Sequence, residues 1–300
     1  MRVFVTGASG FIGSAIVREL QAAGHHVIGL ARSARSAAAL RQAGVAVQAG
    51  DMNDPASLGQ GTARADAVIH TAFNHDFSRF RAHCEDDRRV IDALGGALAG
   101  SERPLLVTSA IGVVKRLAGQ PGTEQDPAVS ATVSPRAASE EAALAWVARG
   151  VRVSIVRLPQ VHDRCRQGLI TFAVALARET GLSAYVGDGQ QRWPAAHVNA
   201  VAKLYRLALE RGQAGVRYHA VAEPGVAMRD IAHAIGQRLS LRVASLAPEH
   251  AAAHFGWLAP FAGDDMPACS EQTQCWLAWD PSGPSLLDDL ARLPLAPDEA

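Results

Sequence analysis

Thr6-Gly7-Ala8-Ser9-Gly10-Phe11-Ile12-Gly13 is the stretch whose reading decides the fold. An apolar run, Val3-Phe4-Val5, precedes it, and Ile16, Val17 and Leu20 follow at the spacing of one helix face. The order is strand, glycine turn, helix, which is the context in which three glycines at this spacing carry meaning. Gly7 permits the tight turn, Gly10 lets a pyrophosphate approach the backbone, and Gly13 lets the helix lie close to the strand. Ser9, Phe11 and Ile12 complete the cradle. The first N–H groups of the helix are free, and its N-terminus carries partial positive charge.

The next strand is His26-Val27-Ile28-Gly29-Leu30. The residues after it meet the adenosine ribose in dinucleotide-binding folds, where an acidic side chain favours NAD. This chain has Ala31-Arg32-Ser33 instead. Arg32 can make a paired contact with a 2′-phosphate and Ser33 can add a hydrogen bond, so NADP(H) is expected in preference to NAD(H). A third strand, Val45 to Ala49, leads to Asp51 and Met52, expected at the adenine, with Asp54 as a helix cap before Pro55. A fourth, Ala67 to Thr71, runs into Ala72 and Phe73. The small residues there let the backbone at Thr71, Ala72 and Phe73 line the cofactor.

A long helix over about 78–98 mixes arginines with Glu85, Asp86 and Asp87 and reads as a solvated or subunit-facing surface. Pro104 to Ser109 is a fifth strand, 112–133 a loop, and Val151 to Leu158 a sixth strand after a helix opened by Ser134-Pro135-Arg136. Beyond it helices are predicted near 169–179, 199–210 and 228–239, with Tyr185-Val186-Gly187-Asp188-Gly189 and Arg192-Trp193-Pro194 as connections and a strand over 216–221. The tail is rich in aromatics, among them Phe255, Trp257, Phe261, Trp276 and Trp279. These either line an apolar ligand pocket or form a small C-terminal core. The expected fold is α/β, a doubly wound parallel sheet of the Rossmann type with a small C-terminal substrate-binding part. Residues 1–157 form the dinucleotide-binding domain, with 197–221 returning to it, and 158–300 are mainly the substrate-binding part.

Of the 300 residues, 48% are hydrophobic, enough for a sizeable core. Lysine plus arginine number 29 and aspartate plus glutamate 29, which argues against nucleic acid or an anionic membrane as partner. No apolar run is long enough to span a bilayer, and Arg2 already edges the first strand, leaving no room for a signal peptide. Cys84, Cys165, Cys269 and Cys275 form no C-x-x-C pair, so no metal site is expected and free thiols in a cytoplasmic protein are the simplest reading.

The chain resembles an extended or atypical short-chain dehydrogenase/reductase of the NAD-dependent epimerase/dehydratase kind. The resemblance rests on the glycine motif, Asp51-Met52, Ile69-His70-Thr71-Ala72, Val107-Thr108-Ser109, Arg157-Leu158-Pro159 and Gly187-Asp188-Gly189 followed by Arg192. It implies a small-molecule substrate, a homodimer packed through helices, and Pro159 beside the cofactor. It also implies a Tyr-x-x-x-Lys pair, which this chain lacks. Its tyrosines are Tyr185, Tyr205 and Tyr218, its lysines Lys115 and Lys203, and no tyrosine stands four residues before a lysine. Alignment with the family pattern puts Thr132 at the tyrosine position and Arg136 at the lysine position. Arg136 can grip the nicotinamide ribose but stays protonated. Thr132 and Ser109 are candidate hydroxyls, and His75 and His162 candidate proton donors with ordinary pKa values near about 6.5.

Three readings follow. The first is an NADP(H)-dependent oxidoreductase acting on a small, fairly apolar carbonyl or alcohol. The second is a non-catalytic NADP-binding redox sensor. The third is a nucleotide-sugar epimerase-like enzyme, supported by Arg192 and weakened by the missing tyrosine.

Overall fold

The computed structural model describes residues 1–117 and 119–295. The first half alternates strictly between strand and helix. It runs β1 (Arg2–Thr6), α1 (Phe11–Ala22), β2 (His26–Ala31), α2 (Ala34–Gln42), β3 (Ala46–Ala49), α3 (Pro55–Ala63), β4 (Ala67–His70), α4 (Phe80–Leu98), β5 (Leu105–Ala110), α5 (Ala138–Val147) and β6 (Val153–Leu158). Strands and helices then interleave less regularly: β7 (Gln160–His162), α6 (Ile170–Thr180), β8 (Leu182–Val186), β9 (Arg192–His197), α7 (Val198–Arg211), β10 (Arg217–His219), β11 (Glu223–Ala227), α8 (Met228–Leu239) and β12 (Arg242–Leu246). Short helices close the chain: α9 (Pro248–Phe255), α10 (Ala259–Ala262), α11 (Glu271–Leu277) and α12 (Leu286–Leu290).

Seven parallel strands form the central sheet in the order β10-β6-β5-β4-β1-β2-β3. Near-continuous apolar runs in β1, β4 and β5 are buried on both faces, as a sheet covered by helices on each side requires. On one face α1 and α7 pack with Leu40 of α2 over Val3, Val5 and Ile69. On the other, α3, α4 and α5 cover Phe4, Val68 and Val107. Strand order reverses between β1 and β4, and this crevice is where ligands bind in such sheets.

Helix α7 and β10 belong to this central unit. A third apolar cluster, built on α6, α8 and the short C-terminal helices, packs separately with Trp193 and Phe255 inside it. The connections expected at 185–189 and 192–194 are largely strand. β8 pairs with β12, and β9 lies between β7 and β11. These strands are too short, and their pairing too remote in sequence, for local alternation to reveal them. The expected surface of α4 also needs correction. Asp87 is buried, because it lies on the inward stripe with Cys84, Ile91 and Leu94.

The tail is tied back to the sheet through His219, which is wholly buried. Its Nδ1 hydrogen bonds to the Cys269 carbonyl at 2.8 Å, its backbone N–H donates to Thr273 Oγ1 at 2.9 Å, and Arg157 donates to its Nε2 at 3.2 Å. Burial, followed by the Arg157 charge, lowers the imidazole pKa to about 4. Above the ordinary histidine value the ring is neutral in both folded and unfolded chains. Between that value and about pH 4 only the unfolded chain takes the proton, so stability falls as pH falls, by about 3 kcal/mol across the window. Denaturation midpoints measured across this range should show that loss, and His219→Gln should flatten it. An equal slope in the variant would assign the effect elsewhere.

Candidate cofactor cleft and active site

The site is assembled at the carboxyl ends of β1, β4 and β5. The buried run Val3-Phe4-Val5 anchors β1, and the chain leaves the sheet at Gly7 with φ +73°. A Cβ there would lie 2.8 Å from the Ala72 backbone nitrogen. A Cβ on Gly13 would lie 2.0 Å from the Gly7 carbonyl oxygen, so helix and turn can touch only because neither residue has a side chain. Gly10 differs, since a Cβ would meet only the Gly7 oxygen, at 3.1 Å.

Gly10 is also the N-cap of α1, and among the described residues no side chain caps this end and no acid lies in its first turn. Its leading N–H groups are left for an anion. A cavity of about 330 Å³ opens there, lined by Ser9, Gly10, Phe11, Ser14, Arg18 and Arg166 among others, with Asp163 turned to the Cys165 and Arg166 N–H groups at its edge. An open glycine, an uncapped helix end and two flanking cations fit the pyrophosphate of a dinucleotide.

At the adenosine end, Arg32 and Ser33 follow β2 and are exposed. The Ser33 hydroxyl is already engaged, accepting the Ser36 N–H in a capping box at the start of α2. Asp51 accepts from the Asn53 N–H at 2.8 Å, and Met52 packs against the core layer of Phe4 and Leu30. Asp54 caps α3, accepting from the Ala56 N–H at 3.0 Å.

At the other end Thr71 Oγ1 donates to the Thr6 carbonyl at 2.8 Å, and Ala72 lies against Gly7, drawing the chain across the mouth of β1. Phe73 comes next, with the Arg136 guanidinium 4.4 Å from its ring centre. Arg136 donates to the Thr108 carbonyl and to Asp87 Oδ2, each at 2.9 Å, and touches the Ser139 hydroxyl. Behind it His70 Nε2 donates to Asp87 Oδ1 at 2.9 Å, and His70 Nδ1 lies 2.6 Å from Thr6 Oγ1. Burial pushes the Asp87 carboxyl up, but the Arg136 charge and then His70 outweigh it and hold its pKa at about 2. The carboxylate stays charged, orients Arg136 and offsets its cation. Sequence reasoning missed Asp87 and His70 as parts of the site. The legible sign was a carboxylate on the apolar stripe of α4.

The structure brings only some of the other expected groups to this cleft. His75 is exposed, its ring centre 5.3 Å from that of Phe73. Partial loss of water around the ring, with the Arg136 charge, holds its pKa below the usual histidine value. Ser109 instead faces α5 and donates to Glu140 Oε1 at 2.7 Å. Thr132 is exposed, its hydroxyl 3.0 Å from that of Ser130. His162 is wholly buried, with Nδ1 2.7 Å from Asp289. Pro159 sits between β6 and β7, partly exposed. Tyr205 reaches β5 from α7, with its hydroxyl 2.6 Å from Thr108 Oγ1, and burial pushes its phenol far above the usual value. Arg192 is neutralised by Asp265, to which it donates from Nε at 3.1 Å and from a terminal nitrogen at 2.8 Å.

These features define a doubly wound nucleotide-binding α/β protein with its cleft at the strand-order switch. Residues 3–222 match the NAD dependent epimerase/dehydratase family. The chain is 46% identical to an uncharacterized protein of Schizosaccharomyces pombe, over 97% of this chain and 98% of that one. It is 40% identical to an uncharacterized protein of Saccharomyces cerevisiae, with the same coverage. Among solved structures it resembles dTDP-glucose 4,6-dehydratase from Streptomyces venezuelae, described with NAD bound, with a TM-score of 0.78 and 23% identity over 97% of this chain and 95% of that one. The chain belongs to the NAD-dependent epimerase/dehydratase family, and its fold is that of the family's extended short-chain dehydrogenase/reductases.

Proposed function

We propose that this protein is an NADP(H)-dependent oxidoreductase that moves a hydride between the nicotinamide and a small, fairly apolar carbonyl or alcohol. The observation that carries this is the placement of Arg136, fixed by Asp87 and the Thr108 carbonyl beside Phe73 at the ends of β4 and β5. A fixed cation there suits the nicotinamide ribose, where the family places a lysine. The bound cofactor supplies the hydride chemistry. Gly7, Gly10, Gly13 and the N–H groups of Phe11 and Ile12 hold the pyrophosphate. Asp51 and Met52 flank the adenine, and Arg32 takes the 2′-phosphate. His75 is the proposed proton donor and hydrogen-bond partner of the substrate oxygen. In the reducing direction the carbonyl carbon gains the hydride and its oxygen a proton, leaving alcohol and NADP⁺.

The engagement of Ser109 by Glu140 favours a second reading, a non-catalytic NADP-binding regulator, because it removes the hydroxyl nearest the family's position. NADPH oxidation over a panel of aldehydes and ketones, with NADH alongside, separates the two. Turnover on apolar carbonyls, slowed about 100-fold by His75→Ala, supports the enzyme. Tight NADPH binding with no turnover across the panel supports the regulator. Arg32→Asp should weaken NADPH binding by at least about tenfold and leave NADH within about twofold, as loss of one charge-assisted pair implies. Equal losses for both cofactors would remove Arg32 from the phosphate site.

A further inference from the structure

The cleft has an aromatic wall whose outer rings, Phe77, Phe172 and Trp257, no step above uses. It starts at Phe73, one residue beyond the Ala72 backbone that touches Gly7. From Phe73 the rings continue through His75 to Phe77, which lies in a single 3-10 turn, Phe77–Arg79. Phe77 then crosses to the C-terminal part. It stacks on Trp257 with ring centres 4.2 Å apart and planes 10° apart. Phe172 of α6 meets both edge-on, at 5.8 Å from Phe77 and 5.0 Å from Trp257. Trp257 and Phe172 are 43% and 39% exposed, so the stack is not sealed in a core. A contiguous set of large rings left at a surface, contributed by two separate parts of the chain, is the kind of patch that marks a ligand-binding groove.

We infer that the substrate carbonyl is attached to a planar aromatic ring, and that Trp257 and Phe77 determine this specificity. This rests on the oxidoreductase reading above and names its substrate class. The physical reason is exchange. Stacked rings attract one another beyond their mutual burial. An incoming aryl group replaces Phe77 on the face of Trp257 and restores the stack that it opens. A saturated ring or alkyl chain of the same size opens the stack and offers no equivalent. Phe172 limits the slot laterally, and the wall leads back along His75 and Phe73 to the glycine turn. The reaction is unchanged. The aryl aldehyde gains hydride at carbon from NADPH and a proton at oxygen, giving the benzylic alcohol and NADP⁺.

The test compares benzaldehyde with cyclohexanecarbaldehyde, which differ in planarity but little in size. The unaltered protein should favour benzaldehyde in kcat/KM by about tenfold. Trp257→Leu should bring the two within about twofold while NADPH affinity is unchanged, and Trp257→Phe should keep most of the preference. A ratio near one in the unaltered protein, or a preference that survives Trp257→Leu, overturns the inference. Calorimetric titration of benzyl alcohol against cyclohexylmethanol, with NADP⁺ present, keeps the question open to decision if neither aldehyde turns over. Stronger benzyl alcohol binding that is lost in Trp257→Leu would uphold the aromatic slot and overturn the oxidoreductase reading alone. No difference between the two alcohols would overturn the slot itself.

Discussion

Gly10→Val is expected to abolish measurable binding of both NADPH and NADH while leaving the protein folded. The residue adopts an extended conformation, φ −78° and ψ 177°, which valine accepts readily. A Cβ there meets only the Gly7 oxygen at 3.1 Å, a contact a slight shift of the turn relieves. The isopropyl group would instead fill the space above the uncapped N-terminus of α1, where the pyrophosphate must approach the backbone. A loss of about 100-fold or more in affinity, near 3 kcal/mol, is expected by titration calorimetry, with a nearly unchanged melting temperature. Gly13→Ala should behave in the opposite way. Its Cβ would sit 2.0 Å from the Gly7 carbonyl oxygen, a backbone atom with nowhere to move. Forcing α1 off β1 should cost about 3 kcal/mol of stability and show first as a lower melting temperature. Full cofactor binding by Gly10→Val would refute the dinucleotide site.

Glu140→Gln is expected to destabilise the protein as strongly as any single polar substitution in the chain. Arg157 is wholly buried and donates to Glu140 from Nε at 2.8 Å and from a terminal nitrogen at 2.9 Å. Burial works against the Glu140 charge, but the Arg157 hydrogen bonds and charge outweigh it and hold the carboxyl below its usual range. Removing the carboxylate leaves a buried guanidinium uncompensated, which costs about 3–5 kcal/mol. For a chain of this size that lowers the melting temperature by about 10 °C. A double replacement, Glu140→Leu with Arg157→Met, should recover part of the loss, because two apolar side chains replace two desolvated charges, while Arg217 loses its 3.4 Å pairing with Glu140. A melting temperature within about 2 °C of the unaltered protein for Glu140→Gln would show that water reaches the pair.

Local chemistry accounts for how much of the fold was legible. The glycine turn, the apolar runs of β1, β4 and β5, and the helix over 228–239 are dictated by neighbours within a few residues, through sterics and 3.6-residue periodicity. The Asp54 cap and the absence of any tyrosine four residues before a lysine are likewise properties of short stretches. Strands β8, β9, β11 and β12 were not legible, since their partners lie tens of residues away and their short runs resemble loops. The site was legible only in part for the same reason. The sequence itself determined the strand, glycine turn and helix around Gly7 to Gly13 and a cation at position 136. It could not say that Asp87 turns inward to meet His70 and Arg136, that Ser109 is held by Glu140, or that His162 is sealed against Asp289. Those outcomes depend on which face of a strand or helix meets which neighbour, and on burial that makes an unpaired charge costly. The same holds for the aromatic wall. Phe77, Phe172 and Trp257 are ordinary residues in three distant segments, and only packing of the two parts of the chain brings their rings together.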